Sequence, residues 1–321
     1  MSSDKKKNSS DSLLEKNLNK KPLFSKGMKE SVLEKYEKAG DIASEALQRG
    51  LNDIEPRKPI SSILDDVEEF IRAKGAQPAF PAQISIDETA AHYCPVTEDE
   101  TIEEGQTVKL DVGVSVDGYI ADNARTKGLG ENQDLVEASE EALKAAIDII
   151  KPGVTIGEIG KTIQETIKEY GYTPVRNLTG HGLSKYNIHA SPTIPNTDTG
   201  NDQTLEEGQV IAVEPFASKG AGIVYESNNP TLFTMIKKKP VRNKITRKVL
   251  KKIEDYNNLP FAKRWLVNEF GEGRTRFALK NMRQKKMLDE HPPLIDKNKG
   301  KVSQAEHTII VKEDPILTTK R

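Results

Sequence analysis

The sequence predicts an α+β fold made of two related halves with a helical insertion in the second. Three observations predict it. Stretches of helical spacing alternate with short apolar strands, in the order helix, helix, hairpin, then helix, helix, hairpin-like. Carboxylates lie on these strands or at their ends. Late in the chain, a Lys- and Arg-rich block of helical spacing separates the last two acid-bearing strands.

The bulk properties set limits. The chain has 321 residues, a net charge of −1 and 35% hydrophobic residues, enough for one large core or two smaller ones. The balanced charge gives no global argument for nucleic acid, DNA included, or for a membrane partner. Cys94 is the only cysteine, which excludes an intramolecular disulfide and a Cys-based zinc cluster. Any metal must then be held by His, Asp and Glu. No apolar run approaches the roughly 18 residues of a membrane span, and no signal-peptide core is present. A cytoplasmic protein is expected.

Residues 1–27 are rich in Lys, Ser and Asn and read as a disordered tail, leaving 28–321 as the folded domain. Its Lys5-Lys6-Lys7 run is mainly a solvated feature. Lys29 to Gly50 has helical spacing at Val32, Tyr36, Ile42, Ala46 and Leu47. Ser62 to Ala73 is a second helix, with Ser62-Ile-Leu-Asp65 resembling a capping box and Gly75 stopping it. Ala79 to Pro95 is a strand and turn leading to His92. Leu110 to Asp122 is a hairpin around Asp117-Gly118. In its first strand Val108, Leu110, Val112 and Val114 form an apolar face for helices, and Asp111 sits on the other face.

Helices follow from Gln133 to Lys151 and from the Thr155-Ile-Gly-Glu158 start to Gly171. Leu178 to Leu183 reads as a polar loop carrying His181, with His189 just beyond. Gly208 to Phe216 is an apolar strand ending in Glu214-Pro215. Residues 237–252 hold nine Lys or Arg and no acid, and begin the helical insertion over about 237–300. Gln304 to Val311 is a last strand, opening on Glu306.

Asp111, Asp122, His181, Glu214 and Glu306 form the chemical constellation. Two carboxylates in an apolar hairpin repel each other unless a proton or cation lies between them. Any one of these acids alone reads as a solvated strand end. Four such acids on or beside apolar strands point to divalent cations bound mainly by oxygen, with a bridging water or hydroxide.

Several dispersed motifs, in order, make the chain resemble a type II methionine aminopeptidase of the archaeal and eukaryotic kind, with the pita-bread fold. They are Ala79-Phe-Pro with Ala90-Ala-His-Tyr93, Leu110-Asp-Val-Gly with Ile120-Ala-Asp122, Gly180-His181, Ile188-His189, Val213-Glu-Pro-Phe216 and Glu306-His-Thr-Ile-Ile310. The resemblance runs from about Lys29 to about Lys320, and the insertion between Glu214 and Glu306 marks type II.

It implies pseudo-twofold halves and two divalent ions, Co, Mn, Fe or Zn. Asp111 would hold one ion, Asp122 and Glu306 would bridge both, and His181 and Glu214 would complete the other. A bridging hydroxide would attack the carbonyl. His92 would lie near the substrate amine and scissile peptide, His189 at the scissile carbonyl, and Glu214 would also shuttle a proton. Phe80, Ile188 and Phe216 would line a methionine pocket. The implied activity is a methionyl aminopeptidase that removes the initiator methionine from nascent polypeptide N-termini when the second residue is small. A monomer is expected, with the basic segment 237–252 either a solvated helix face or a contact to ribosomal RNA.

Two positions depart from the family pattern. Ala305 stands where an aromatic residue usually precedes the last glutamate, removing bulk beside Glu306. Asp87 stands where Asn is usual and adds a negative charge. His307 alternates away from the site, and Cys94 reads as a small buried hydrophobe. Two other functions compete. A prolidase-like peptidase is disfavoured by the helical insertion and the lack of a large N-terminal domain. A non-catalytic relative that binds RNA or ribosomes is disfavoured by the intact ligand positions.

Overall fold

The structure, a computed structural model, describes residues 28–96, 100–227 and 229–320. The proposed tail and its lysine run lie outside these. Helices α1 (Glu30–Asp53) and α2 (Ile60–Ala73) precede strands β1 (Gln83–Ile86), β2 (Thr89–Ala91), β3 (Thr107–Val116) and β4 (Tyr119–Gly128). The second half repeats the plan. Helices α3 (Gln133–Ile149) and α4 (Ile156–Glu169) precede β5 (Thr179–Ser184), β6 (Asn187–Pro195), β7 (Val210–Val213) and β8 (Phe216–Ser218).

The insertion brings β9 (Leu232–Met235), α5 (Lys244–Glu254), α6 (Lys263–Phe270), α7 (Glu272–Gln284), β10 (Leu288–His291) and β11 (Leu294–Asp296). Strands β12 (Val302–Gln304) and β13 (His307–Ile310) close the second half.

Each half buries a helix pair on its sheet. Ala43, Leu47, Ile63 and Val67 of α1 and α2 meet Val108, Leu110, Val112 and Val114 of β3. Leu135, Ala142, Ile159 and Ile163 of α3 and α4 meet Ile211, Val213 and Ile309. Ala305 belongs to this second core, 3% exposed, so the missing aromatic leaves a residue that still packs.

The helix starts differ from each other. At the expected start of α4, Thr155 and Glu158 form a reciprocal cap. The expected box at Ser62 and Asp65 does not form. Helix α2 starts earlier, with Pro59 at its cap position and no side-chain cap bond, and Asp65 pairs with Arg264 instead. Proline pre-sets a φ that suits a helix entrance, and a guanidinium is the stronger partner for the carboxylate.

The halves meet along one antiparallel seam between β4 and the β12–β13 segment. The Thr308 hydroxyl accepts from the Asp122 backbone N–H (2.7 Å) and donates to the Asp122 carbonyl (2.8 Å). The Thr126 hydroxyl does the same for Gln304, accepting from its N–H (2.8 Å) and donating to its carbonyl (2.7 Å). Between them the Glu306 N–H donates to the Ala124 carbonyl at 2.9 Å. One clamp comes from each half, so the seam carries the twofold relation in its own hydrogen bonds.

The seam changes what the polar face of β3 does. Lys109 is 1% exposed rather than solvated, because the second half covers it. Its Nζ donates to the carbonyls of Val302 (2.9 Å) and Asp87 (3.1 Å). Asp87 in turn takes the Thr107 N–H at 2.9 Å and lies 3.0 Å from Lys301 Nζ, so its added charge is met by a cation.

The insertion has its own core, with Phe233, Val249, Leu250, Phe261, Leu279 and Met282 in contact. Arg264 of α6 docks it on the first half. The guanidinium is 3% exposed and bonds Glu68 and Asp65, and its Nε donates to Cys94 Sγ at 3.2 Å. Trp265 Nε1 also donates to Glu68, at 2.6 Å. A buried carboxylate left without such partners would be strongly destabilising.

Thr308→Val keeps the side-chain volume, removes both seam bonds and orphans the Asp122 N–H. A loss of about 1–3 kcal/mol is expected in denaturant unfolding. An unchanged midpoint would exclude the clamp as a source of stability.

Candidate metal centre

The site lies at the seam. On β3, Asp111 and Gly113 share one face, and Asp122 on β4 is the cross-strand partner of Gly113. The two carboxylates are therefore diagonal neighbours. Gly113 has a specific reason: a Cβ there would stand 2.1 Å from the Phe80 ring, which lies over the gap between the acids. Glu306 enters from the other half, next to Ala124. Glu214 sits between β7 and β8, where Gln304 Nε2 donates to its Oε2 at 3.3 Å.

His181 is on a strand, β5, not in the loop that its flanking glycines predicted. Those glycines serve close approach. A Cβ at Gly180 would stand 2.3 Å from the Ala212 carbonyl oxygen, and one at Gly182 would stand 2.1 Å from that of Ser191. The imidazole reaches the carboxylates: Nε2 is 3.7 Å from Asp122 Oδ2 and 3.6 Å from Glu214 Oε1. Donor atoms of Asp122, His181 and Glu306 all lie within 4.8 Å of one another, on three buried side chains.

Electrostatics show what this set requires. Burial, and then the neighbouring acids, hold Asp122 and Glu306 well above the usual carboxylate range. Glu214 is raised in the same way by burial and by Asp111, and burial raises Asp111. Burial lowers His181 to about 4, so it is a neutral donor. Asp111 Oδ1, Asp122 Oδ1 and Glu306 Oε1 are buried with no hydrogen-bond partner among the described residues. Orphaned acceptor oxygens from several carboxylates, beside a neutral imidazole, are the donor set of a divalent cation.

The remaining candidates surround this centre. His92 has a left-handed backbone, φ 64°, which costs roughly 1 kcal/mol in a non-glycine residue. Its N–H donates to Gln83 Oε1 at 2.8 Å. Burial, and then His291, lower its imidazole to about 3. His189 is exposed to the cleft on β6, its ring edge-on to His181 at 4.7 Å. Phe80 and Ile188 belong to one apolar cluster, and Phe216 to the neighbouring one with Ala90 and Val224.

One site neighbour had no distinct signal in the sequence. His291 of β10 faces the His92 ring at 5.8 Å and is paired with Thr234 Oγ1 at 2.8 Å. Both imidazoles line a cavity of about 240 Å³ with Leu178, Val224 and Pro292. His307 faces away and bonds Thr319 Oγ1 at 2.8 Å. Cys94 is buried, and burial pushes its thiol up to about 11, as an inert core residue requires.

A two-half fold with acids and an imidazole gathered at its seam is that of a metallopeptidase, and the chain belongs to metallopeptidase family M24, whose sequence model matches residues 34–313. Within the family it is similar to archaeal methionine aminopeptidases. It is 44% identical to that of Archaeoglobus fulgidus, over 91% of this chain and 100% of the relative. It is 45% identical to that of Thermococcus onnurineus, over 88% and 97%. The crystal structure of methionine aminopeptidase from Thermotoga maritima shares the pita-bread fold, with TM-score 0.69 and 24% identity over 93% of this chain and 100% of that one.

Chelator-stripped protein is expected to unfold at a higher temperature once Mn²⁺ or Co²⁺ is added, by about 2.7 kcal/mol of stability at a hundredfold excess over Kd. In Asp122→Ala the shift should vanish. A full shift in that variant would remove Asp122 from the cation site.

Proposed function

We propose that the chain is a methionyl aminopeptidase that removes the initiator methionine from nascent proteins whose second residue is small. The observation that carries this reading is the group Asp122, His181 and Glu306 at the seam of the two halves, with Asp111 and Glu214 beside it and orphaned acceptor oxygens on Asp111, Asp122 and Glu306. In this reading Asp111 would hold one of two divalent ions, Asp122 and Glu306 would be shared by both, and His181 and Glu214 would hold the other. Co, Mn, Fe and Zn all suit these donors. Such ions, when bound, acidify water and polarise a carbonyl.

The chain's own groups do the rest. Glu214, its other oxygen taken by Gln304, is placed to hold and return a proton. His92 has a buried Nδ1 without a partner among the described residues, which is free to meet the substrate near its amine and scissile peptide. His189 projects into the cleft beside His181 and meets the scissile carbonyl. Phe80, Ile188 and Phe216 form apolar walls that select methionine by shape. Bound ions would also accept a free α-amino group as a ligand, which would confine cleavage to the N-terminus.

The purified protein should release methionine from Met-Ala-Ser, lose this with a chelator, and not cleave Pro-containing dipeptides. No chelator-sensitive release with Co²⁺, Mn²⁺ or Fe²⁺ supplied would sink the reading. His92→Ala should keep the metal stoichiometry while kcat falls about 10²- to 10⁴-fold. A near-normal rate would take His92 out of the mechanism.

A contact to ribosomal RNA rests on a separate observation. Residues 237–300 hold 19 Lys and Arg against seven Asp and Glu, a net +12, which leaves −13 on the rest of the chain. On α5, Lys244, Arg247, Lys248 and Lys251 are exposed at helical spacing, opposite the buried Thr246, Val249, Leu250 and Ile253. Such a stripe fits a phosphate backbone. No helix among the described residues is long and apolar enough to cross a membrane, and a monomer working on nascent chains in the cytoplasm fits this arrangement. Reversing the four charges to Glu should weaken binding to purified ribosomes at least about tenfold and flatten its salt dependence. Unaltered binding would leave the stripe a solvated face.

A further inference from the structure

We infer that Gln83 is the positioning residue for His92, its side-chain oxygen holding the His92 backbone in the conformation that turns the imidazole into the cleft. The inference rests on the reading of His92 as a group that meets substrate, and it concerns a residue outside that machinery.

A histidine at φ 64° is in a region that only outside contacts maintain. The structure supplies that contact at one place. The His92 N–H donates to Gln83 Oε1 at 2.8 Å, and only the carbonyl oxygen of the amide can accept there, which fixes the amide's orientation. Gln83 is 6% exposed, so the bond is shielded from water.

The next bond holds the same turn: the Ile84 N–H donates to the Tyr93 carbonyl at 3.1 Å. Residues 92 and 93 are thus fastened to β1. The insertion also reaches this turn: β11 pairs with β2 as far as Ala91, Arg264 meets Cys94, and His291 and the Pro292 backbone meet the His92 ring. None of these takes the His92 N–H, which Gln83 alone accepts among the described residues. Gln83 is also the cross-strand partner of Asp111, so one short strand sets the histidine relative to the carboxylates. The side-chain length matters, because Asn would carry its oxygen one methylene short of the N–H.

The test compares the wild-type protein with Gln83→Met and Gln83→Asn. Ring signals of ¹⁵N-labelled histidine are recorded in metal-free protein, with His92 assigned from His92→Gln. Metal stoichiometry, unfolding midpoint and the kinetics of methionine release are measured alongside. The expected result is a displaced or broadened His92 signal with the other histidines unmoved. The metal content should be normal, and kcat should be about 10- to 100-fold lower with little change in KM.

Wild-type His92 signals in both variants overturn the inference. So does failure of both to fold, which would make Gln83 a residue of strand stability alone. Loss of metal together with activity overturns it too, by placing the effect on Asp111. A displaced His92 signal with unchanged kcat supports the positioning role and removes His92 from the proposed function instead. If the wild-type protein releases no methionine, the proposed function fails and the ring signals still decide the role of Gln83.

Discussion

Mutual repulsion of carboxylates in a buried seam is the constraint on which the structure depends. Asp111 and Asp122 of one hairpin are forced out of water together with Glu214 and Glu306 of the second half. Desolvated like charges can be kept close only if protons or cations neutralise them and if the backbone cannot relax away. The second condition is met by rigid elements. Asp122 lies on β4, Glu306 in the break between β12 and β13 is bonded through its N–H to Ala124 of β4, and Thr308 grips both backbone groups of Asp122. The fold therefore holds a charge arrangement that the apo state disfavours, and a divalent cation is the ligand that relieves it.

The twofold plan explains why the acids converge. Each half puts a helix pair on the outer face of its sheet, so the inner strands have only the other half to cover them. Polar groups on those inner faces must then be satisfied across the seam. Lys109 is satisfied by carbonyls, Thr126 and Thr308 by exchanging bonds with the opposite backbone, and the carboxylates by neither. What distinguishes the site from the rest of the seam is this shortfall of donors.

Much of this was legible in the sequence, since strand alternation and helical spacing are local. The hairpin around Asp117-Gly118, the helix start at Thr155 and the acids and imidazole of Asp122, His181 and Glu306 could be read without coordinates. Glycine was the misleading signal. At Gly180 and Gly182 it implied a loop, whereas the chain needs it for close packing of His181's strand against Ala212 and Ser191. Ser62 and Asp65 had the spacing of a cap, but Arg264, about two hundred residues away in sequence, competes for Asp65. The burial of Lys109 and the approach of His291 to His92 depend on contacts between distant segments. No local pattern encodes them.

The insertion packs against the turn that carries His92. It sends β11 to pair with β2, so the strand leading into His92 has its partner in the inserted segment. It sets His291 beside the His92 ring, and it anchors Arg264 on Cys94, two residues past His92. The buried Glu68–Arg264 pair fixes α6 to α2 and makes these contacts geometrically definite. The cationic stripe of α5 belongs to the same packed body through Val249, Leu250 and Ile253. A ligand bound to that stripe would therefore act on the same packed unit that carries His291 to the His92 turn.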